Sequence, residues 1–269
     1  MRQQIIQGED GLPALEVRPW AKDKLYFLSY FMAIFNRGMK NKWEHRAYID
    51  LFAGPGRCRI KDTFMEIDGS PLCALNCETP FTHHFFNDIN PKSIEGIKLR
   101  ARDFCSNIQY YNFDCNEAVD NILKDLPTDA LTLAFIDPWN WEISFDAICR
   151  LTTGRSMDLI ITFHTGSIKR VAQYELELLE SFFGDPEWQR KYQEFIKAGG
   201  RQGSRILLDF YENRLRNIAG YNFIDDRLFI TNTVEVPLYH LIYASRHSIG
   251  AKFWRESIAK TRAGQRRLL

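Results

Sequence analysis

Apolar residues follow two different periods along the chain, and the change of period separates its predicted elements. Residues 20–38 (WAKDKLYFLSYFMAIFNRG) are apolar at helical spacing, and so densely that most of the predicted helix must be buried. From residue 47 onward, short strand-like runs alternate with helical segments. The predicted strands are 47–52, 83–88, 108–113, 131–136 and 157–163, and the predicted helices are 70–77, 91–104, 115–124 and 143–151.

The strand runs LTLAFI (131–136) and MDLIITF (157–163) are apolar almost throughout, which is typical of strands buried on both faces. Together with the alternation, they predict an α/β fold with a mostly parallel sheet covered by helices on both sides. Residues 168–220 interrupt this pattern with two or three predicted helices. Residues 226–245 then hold two strand runs, which predict a C-terminal antiparallel hairpin.

This order predicts a single domain over residues 1–269. We divide it into an N-terminal helical segment (1–46), a core (47–165 and 221–269) and a helical insertion (166–220). Five parallel strands followed by a late hairpin are the layout of S-adenosylmethionine-dependent methyltransferases, an analogy that needs support from particular residues.

Composition narrows the class of protein. Hydrophobic residues make up 45% and charged residues 26%, as in ordinary globular proteins. No apolar run reaches the ~18 residues of a membrane helix, and the first residues lack the layout of a signal peptide. The six cysteines form no CxxC pair, so we expect free thiols and no metal site. These observations favour a cytoplasmic protein without a membrane partner.

Charge is distributed unevenly. Residues 246–269 carry seven basic side chains and one acidic one, a net charge of +6, in a chain whose net charge is +1. Residues 1–245 therefore carry −5. A basic C-terminal segment fits a polyanion such as nucleic acid, and Arg262, Arg266 and Arg267 are its candidate phosphate contacts. A solvated terminal helix explains the same charges equally well.

The stretch YIDLFAGPGR (48–57) ends a predicted strand in a glycine turn. A phosphate-binding P-loop would need Gly-Lys-Ser/Thr after the turn, and a dinucleotide fingerprint would need a third glycine, and neither is present. S-adenosylmethionine requires only an acid, a turn that permits close approach, and further acids nearby. The candidate cofactor contacts in this stretch are Asp50, Phe52, Ala53, Gly54 and Gly56.

Three further predicted strands are also followed by acids, namely Asp88, Asp114 and Asp137. Ligands of open parallel sheets bind beyond the carboxyl ends of the strands, so these acids should line one crevice. We expect Asp88 to bind the ribose hydroxyls of the cofactor and Asp114 to meet its adenine amine. The alternative is that each acid merely caps the helix that follows it.

The segment Asp137-Pro138-Trp139 is the candidate catalytic site. Methyltransferases that act on exocyclic amines carry Asp/Asn-Pro-Pro-aromatic here, and the aromatic residue stacks on a flipped base. In this chain the second proline is missing and the aromatic residue comes one position early. The segment therefore suggests methylation of an adenine amine. Methylation of another acceptor, or loss of catalytic activity, are the alternatives.

Candidate substrate contacts follow the same segment. They are Trp141, His164 and Arg170. A histidine at the end of a strand could contact a phosphate or act as a base, although most such residues are structural. Both tryptophans could likewise serve only to cover the core.

Six stretches together resemble the three-Cys-motif partner family, which is methyltransferase-like. They are YIDLFAGPGR (48–57), DGSPLCAL (68–75), LAFIDPW (133–139), DLIITFH (158–164), FFGDPEW (182–188) and PLYHLIYASRH (237–247). The resemblance implies a Rossmann-like class I methyltransferase fold. It also implies a co-encoded partner that is similar to radical S-adenosylmethionine proteins and carries the three cysteines.

Two functions follow from these patterns. The first is an S-adenosylmethionine-dependent methyltransferase that acts on nucleic acid. The alternative is an accessory or binding subunit with the same fold that docks the radical-enzyme-like partner. A phosphodiester enzyme would need a metal-binding cluster of acids such as Asp50, Asp137 and Asp158, whose spacing matches no known motif.

Overall fold

The computed structural model describes residues 4–231 and 237–259, which form two sheets and the helices around them. The strands are β1 (Ile5–Gln7), β2 (Pro13–Val17), β3 (Arg46–Asp50), β4 (Arg57–Ile60), β5 (Glu66–Asp68), β6 (His83–Asn87), β7 (Asn107–Tyr111), β8 (Leu131–Ile136), β9 (Ser156–Phe163), β10 (Phe223–Thr231) and β11 (Pro237–Ser245). The helices are α1 (Ala21–Met39), α2 (Ser70–Leu75), α3 (Pro91–Ala101), α4 (Cys115–Asp125), α5 (Phe145–Thr152), α6 (Ile168–Tyr174), α7 (Leu176–Phe183), α8 (Glu187–Ala198), α9 (Gly200–Asn217) and α10 (Ser248–Ile258).

The large sheet has seven strands in the order β10-β11-β9-β8-β3-β6-β7. Strands β3, β6, β7, β8 and β9 pair in parallel, whereas β11 is antiparallel to both of its neighbours. All six residues of β8 are buried, as are seven of the eight residues of β9. The predicted mostly parallel sheet with a C-terminal antiparallel hairpin is therefore confirmed.

Two hydrophobic cores cover the two faces of this sheet. One contains residues of α4, α5, α7 and α9, and the other contains residues of α1, α2, α3 and α10. The predicted N-terminal helix is thus buried along one face, with Phe27, Phe31 and Phe35 at most 2% exposed. No described helix is long and apolar enough to cross a membrane.

The N-terminal segment over 1–46, predicted as helical, contains α1 and also two short strands. Its first part forms β1 and β2, which join β4 and β5 in a second, four-stranded sheet. These strands have three to five residues each, too short for an alternating pattern to stand out. The helices predicted for the insertion are present as α6 to α9.

Arg100, on α3, fastens the small sheet to the glycine turn. Its Nη1 donates to the carbonyl oxygens of Pro13 and Pro55, both at 2.6 Å, and its Nε donates to Asp10 at 2.8 Å. The Arg100 side chain is only 5% exposed. Removing it would leave two carbonyls and a carboxylate without their donor.

We therefore expect Arg100→Met to lower the free energy of unfolding by about 2–4 kcal/mol, because buried charge-assisted hydrogen bonds are lost. Urea unfolding measures this change. Arg102→Met is the matched control, since the Arg102 side chain is 73% exposed and pairs with an exposed Asp103. Equal unfolding midpoints for the two variants would contradict the role of Arg100.

Candidate functional site

The carboxyl ends of the parallel strands bring most of the predicted site residues to one edge of the large sheet. Asp50 is the last residue of β3, and Asp88, Asp137 and His164 directly follow β6, β8 and β9. The chain runs from β3 outward to β6 and β7, then returns to β8 and β9 on the other side of β3. Such a switch point is where open α/β sheets bind ligands.

The glycine turn after β3 needs its glycines for two separate reasons. Gly54 (φ 62°) and Gly56 (φ 85°) both have left-handed backbone conformations. A Cβ atom on Gly56 would also lie 2.6 Å from Cδ1 of Ile97. The turn is therefore packed directly against α3, and only glycine fits at position 56.

Asn87, the last residue of β6, joins three loops of this edge, and sequence reasoning missed it. Its Nδ2 donates to the carbonyls of Leu51 (3.1 Å) and Phe113 (3.2 Å), and its Oδ1 accepts from the Phe113 amide (3.1 Å). Its own carbonyl accepts from the Ala53 amide at 2.8 Å. The available signal was an amide side chain placed directly before the strand-end acid.

Asp50 supports the turn from inside the protein. It is fully buried, and it accepts hydrogen bonds from the Phe52 amide and the Tyr48 hydroxyl, both at 3.2 Å. Burial raises the pKa of Asp50 to about 7, although hydrogen bonds from Ser70 and Phe52 oppose this rise. Asp50, predicted as a cofactor contact, is therefore corrected to a residue that shapes the turn.

Asp88 connects the glycine turn to the loop after β6. One carboxylate oxygen accepts from the Gly54 amide and the other from the Asn90 amide, both at 2.8 Å. Burial raises its pKa, and the residue is 8% exposed. Each carboxylate oxygen has a second lone pair, so Asp88 can still accept hydrogen bonds from a ligand.

Asp114 serves as the N-cap of α4. Its Oδ1 accepts from the backbone amide of Asn116 at 2.9 Å and from Nδ2 of the same residue at 3.0 Å. The helix-capping alternative is thus correct for this acid. Capping occupies Oδ1, and Oδ2 is the atom through which Asp114 could reach an adenine amine.

Two apolar side chains beside these acids are exposed, which the sequence reading also missed. Ile89 is 71% exposed and Phe113 is 41% exposed. Asn112 Nδ2 donates to the Asp88 carbonyl at 2.7 Å, so the loops that carry Ile89 and Phe113 are bound to each other. An exposed apolar pair at a sheet edge is suited to cover a flat aromatic ring.

Asp137 forms a largely buried ion pair with Lys24 of α1. Nζ of Lys24 lies 2.5 Å from Oδ2 of Asp137, with side-chain exposures of 15% and 21%. Burial raises the pKa of Asp137, but the charge of Lys24 and its hydrogen bond outweigh burial, and the net pKa lies below the usual range. Lys24 also lies over the ring of Tyr239, 5.4 Å from its centroid. Nothing in the sequence pattern linked residue 24 to residue 137.

His164 contacts the next residue of the same loop. Its Nε2 lies 2.6 Å from the Pro138 carbonyl oxygen, and burial lowers its pKa. Because a carbonyl oxygen only accepts, Nε2 carries the ring hydrogen and Nδ1 is left as the acceptor of the neutral ring. Lys24 thus engages Oδ2 of Asp137 and His164 engages the Pro138 carbonyl, whereas Oδ1 of Asp137 is buried without a hydrogen-bond partner.

The two tryptophans of the loop after β8 have different positions. Trp139 is 47% exposed, whereas Trp141 is fully buried. The Trp141 ring lies 4.6 Å from that of Phe182 and 5.0 Å from that of Phe163, and its Nε1 donates to Ser167. The prediction that Trp141 contacts substrate is wrong, because the side chain is part of the core.

Arg170 stands beside the same loop and keeps a half-exposed side chain. Its Nη2 donates to Oδ1 of Asn140 at 3.1 Å, and 51% of its side chain is exposed.

The acids considered for a metal cluster do not converge. Asp158 lies near the start of β9, where it accepts from Tyr243 at 2.5 Å, and the residues described contain no group of three or more metal-ligating side chains.

The basic C-terminal segment is described only in part. Arg262, Arg266 and Arg267 lie outside the described residues, so their contacts stay a prediction. The helix before them starts at the opposite edge of the sheet, since β11 is antiparallel to β9 and runs from the end of β9 (His240 opposite Phe163) toward its start (Ala244 opposite Leu159). There α10 borders an open groove of about 490 Å³ whose basic side chains are Arg216, Arg227 and Arg255.

Comparisons with known proteins support the fold of this chain. No protein-family model matches the sequence, and no curated protein matches it either. Among solved structures, the chain is similar to protein LPL1258 from Legionella pneumophila (12% identity, TM-score 0.50), covering 85% of this chain and 88% of that one. It is also similar to Trm5b from Pyrococcus abyssi, with 13% identity and a TM-score of 0.40 over 91% of this chain and 56% of that one. A third similar structure is an S-adenosylmethionine-dependent methyltransferase from Anabaena variabilis, with 10% identity and a TM-score of 0.39 over 84% of this chain and 92% of that one.

These likenesses differ in strength. The chain spans only 56% of the length of Trm5b, and of these three structures only LPL1258 reaches a TM-score of 0.5. At such low identity, that likeness shows a shared fold alone. Together with the strand order, it identifies the Rossmann-like, mostly parallel fold that the sequence predicted. The resemblance to three-Cys-motif partner proteins stays a prediction.

The raised pKa of Asp50 has a consequence for stability. In the folded protein the carboxyl group of Asp50 stays protonated up to about pH 7, whereas in an unfolded chain it loses its proton near pH 4. Stability from this group therefore falls as pH rises from about 4 to 7. Asp50→Asn should gain stability relative to wild type between pH 5 and pH 8, measured by urea unfolding at both values. A difference that is the same at both pH values would contradict the assignment.

Proposed function

We propose that this protein is an S-adenosylmethionine-dependent methyltransferase that acts on nucleic acid. One observation carries the proposal: the glycine turn, Asp88 and the exposed pair Ile89 and Phe113 are bound together at the switch point of the sheet, next to the Asp137 loop. A cofactor site and a candidate acceptor site are thus neighbours at one edge.

The residues at this edge fit the cofactor. Asp88 has free lone pairs for the ribose hydroxyls, and Ile89 and Phe113 can cover the two faces of the adenine ring. The Gly54–Gly56 turn carries one side chain, that of Pro55, and it is buried. When bound, S-adenosylmethionine supplies an electrophilic methyl group on a sulfonium sulfur.

The chain's own residues position the acceptor in this proposal. Asp137 and the Pro138 carbonyl are the two acceptors able to orient an amino group toward the cofactor, and the half-exposed Trp139 can stack on an adjacent ring. Methylation of an exocyclic base amine would use this set. An incoming amine could donate to Oδ1 of Asp137, which has no hydrogen-bond partner, whereas Oδ2 and the Pro138 carbonyl are already held by Lys24 and His164.

That same engagement favours the second candidate function. A methyltransferase-fold subunit that binds a radical-enzyme-like partner would need no free acceptor beside the cofactor, and here Oδ2 of Asp137 and the Pro138 carbonyl are held by protein groups. Transfer of a tritium-labelled methyl group to DNA, RNA and the co-encoded partner distinguishes the two. Label in nucleic acid supports the enzyme, and cofactor binding without any transfer supports the accessory subunit.

Asp88→Asn tests the cofactor site without dismantling the turn, because the amide oxygen still accepts one of the two loop amides. Losing charge-assisted hydrogen bonds costs about 1.5–3 kcal/mol, so S-adenosylmethionine affinity should fall roughly ten- to a hundredfold by calorimetry. Asp120→Asn is the control, on the exposed side of α4. Unchanged affinity in Asp88→Asn would remove Asp88 from the site.

Asp137 must be tested together with Lys24. Asp137→Ala alone leaves the Lys24 ammonium group buried without its partner and should lower the free energy of unfolding by about 3–5 kcal/mol. Lys24→Met/Asp137→Leu removes both charges and should restore most of that stability. The double variant should keep S-adenosylmethionine affinity within about tenfold and lose most methyl transfer. Wild-type transfer rates in a folded double variant would show that the pair has no part in the reaction.

A further inference from the structure

One exposed aromatic side chain near the Asp137 loop has no role in the proposed reaction. Tyr174 ends α6 with 72% of its surface exposed. Its ring contacts no other aromatic ring in the part of the chain that the structure describes. An aromatic ring exposed to water on a short helix adds little to the stability of the fold. We therefore consider Tyr174 as a contact for a binding partner.

Hydrogen bonds join the residues that directly follow Trp139 and Tyr174. Nδ2 of Asn140 donates to Oε2 of Glu175 at 2.7 Å, and Arg170 donates to Oδ1 of the same Asn140 at 3.1 Å. Asn140 directly follows Trp139, and Glu175 directly follows Tyr174. The hydrogen bond therefore joins two backbone segments that each carry an exposed aromatic residue, 35 positions apart in the chain.

We propose that Tyr174, beside Trp139, forms a stacking site for the unpaired nucleobase next to the methylated one. This rests on the proposed function, because Trp139 follows the Asp137-Pro138 segment directly. Flat aromatic side chains bind bases of any sequence through their faces. A single-stranded segment that enters the site thus gains a second base contact beyond the target base.

The surrounding charges favour a nucleic acid as the occupant. Lys169 and Arg170 are exposed on the helix that Tyr174 ends, and Nζ of Lys169 lies over the Phe195 ring, 5.6 Å from its centroid. Arg170 reaches Glu175 only at 4.0 Å. Two cations beside two aromatic rings match alternating phosphates and bases.

The test measures binding of a fluorescently labelled single-stranded oligonucleotide of about ten nucleotides by anisotropy. Loss of one base stack should make Tyr174→Ala bind roughly 5- to 100-fold more weakly. Tyr174→Phe should bind within about twofold of wild type. Tyr30→Ala, on α1, is the matched control, since Tyr30 is also exposed (38%).

An abasic oligonucleotide with the same phosphates separates stacking from other effects. Tyr174→Ala should bind it as wild type does, because no base is left to stack. Equal weakening on both oligonucleotides, or none on either, would overturn the stacking site, and the second result would leave the surface to a protein partner. If wild type itself binds neither oligonucleotide, the nucleic-acid part of the proposed function fails as well.

Discussion

The site depends on the buried amide of Asn87. It bonds the backbone on both sides, to Leu51 before the glycine turn and to Phe113 after β7, while its own carbonyl holds Ala53. A buried amide with every hydrogen bond satisfied is rigid, because any loop that moved away would leave polar groups unpaired. The three loops that would surround a cofactor are therefore set in place before it binds, which lowers the entropy lost on binding.

The Lys24–Asp137 pair is the second constraint, and it acts on chemistry rather than on shape. α1 and the large sheet bring opposite charges together where a methyl acceptor would lie. Removing charges from water is costly, and the pair is stabilised only while both partners remain. A substrate amine that reached Asp137 could donate to Oδ1, while Oδ2 stays held by Lys24. The same pair in a protein without a substrate would simply close the acceptor site.

The sheet was predictable because two of its central parallel strands have a strong local pattern: LTLAFI and MDLIITF are apolar on both faces, and that follows from burial alone. The short strands of the small sheet have too few residues for an alternating apolar pattern, so β1 and β2 within residues 1–46 were not predicted. Asp88 and Asp137 were found because an acid directly after a strand is visible in one dimension. Lys24 was missed because its partner is 113 residues away, and Trp141 was misassigned because burial of a loop residue depends on helices that follow it.

The central claim is that three strand-end loops form one cofactor site, and amide hydrogen exchange tests it most directly. The protein is compared with and without saturating S-adenosylmethionine. Slower exchange confined to peptides covering residues 51–56, 88–90 and 112–114 is the predicted result. Protection elsewhere, for example along the groove beside α10, or no change at concentrations where calorimetry detects binding, would contradict it.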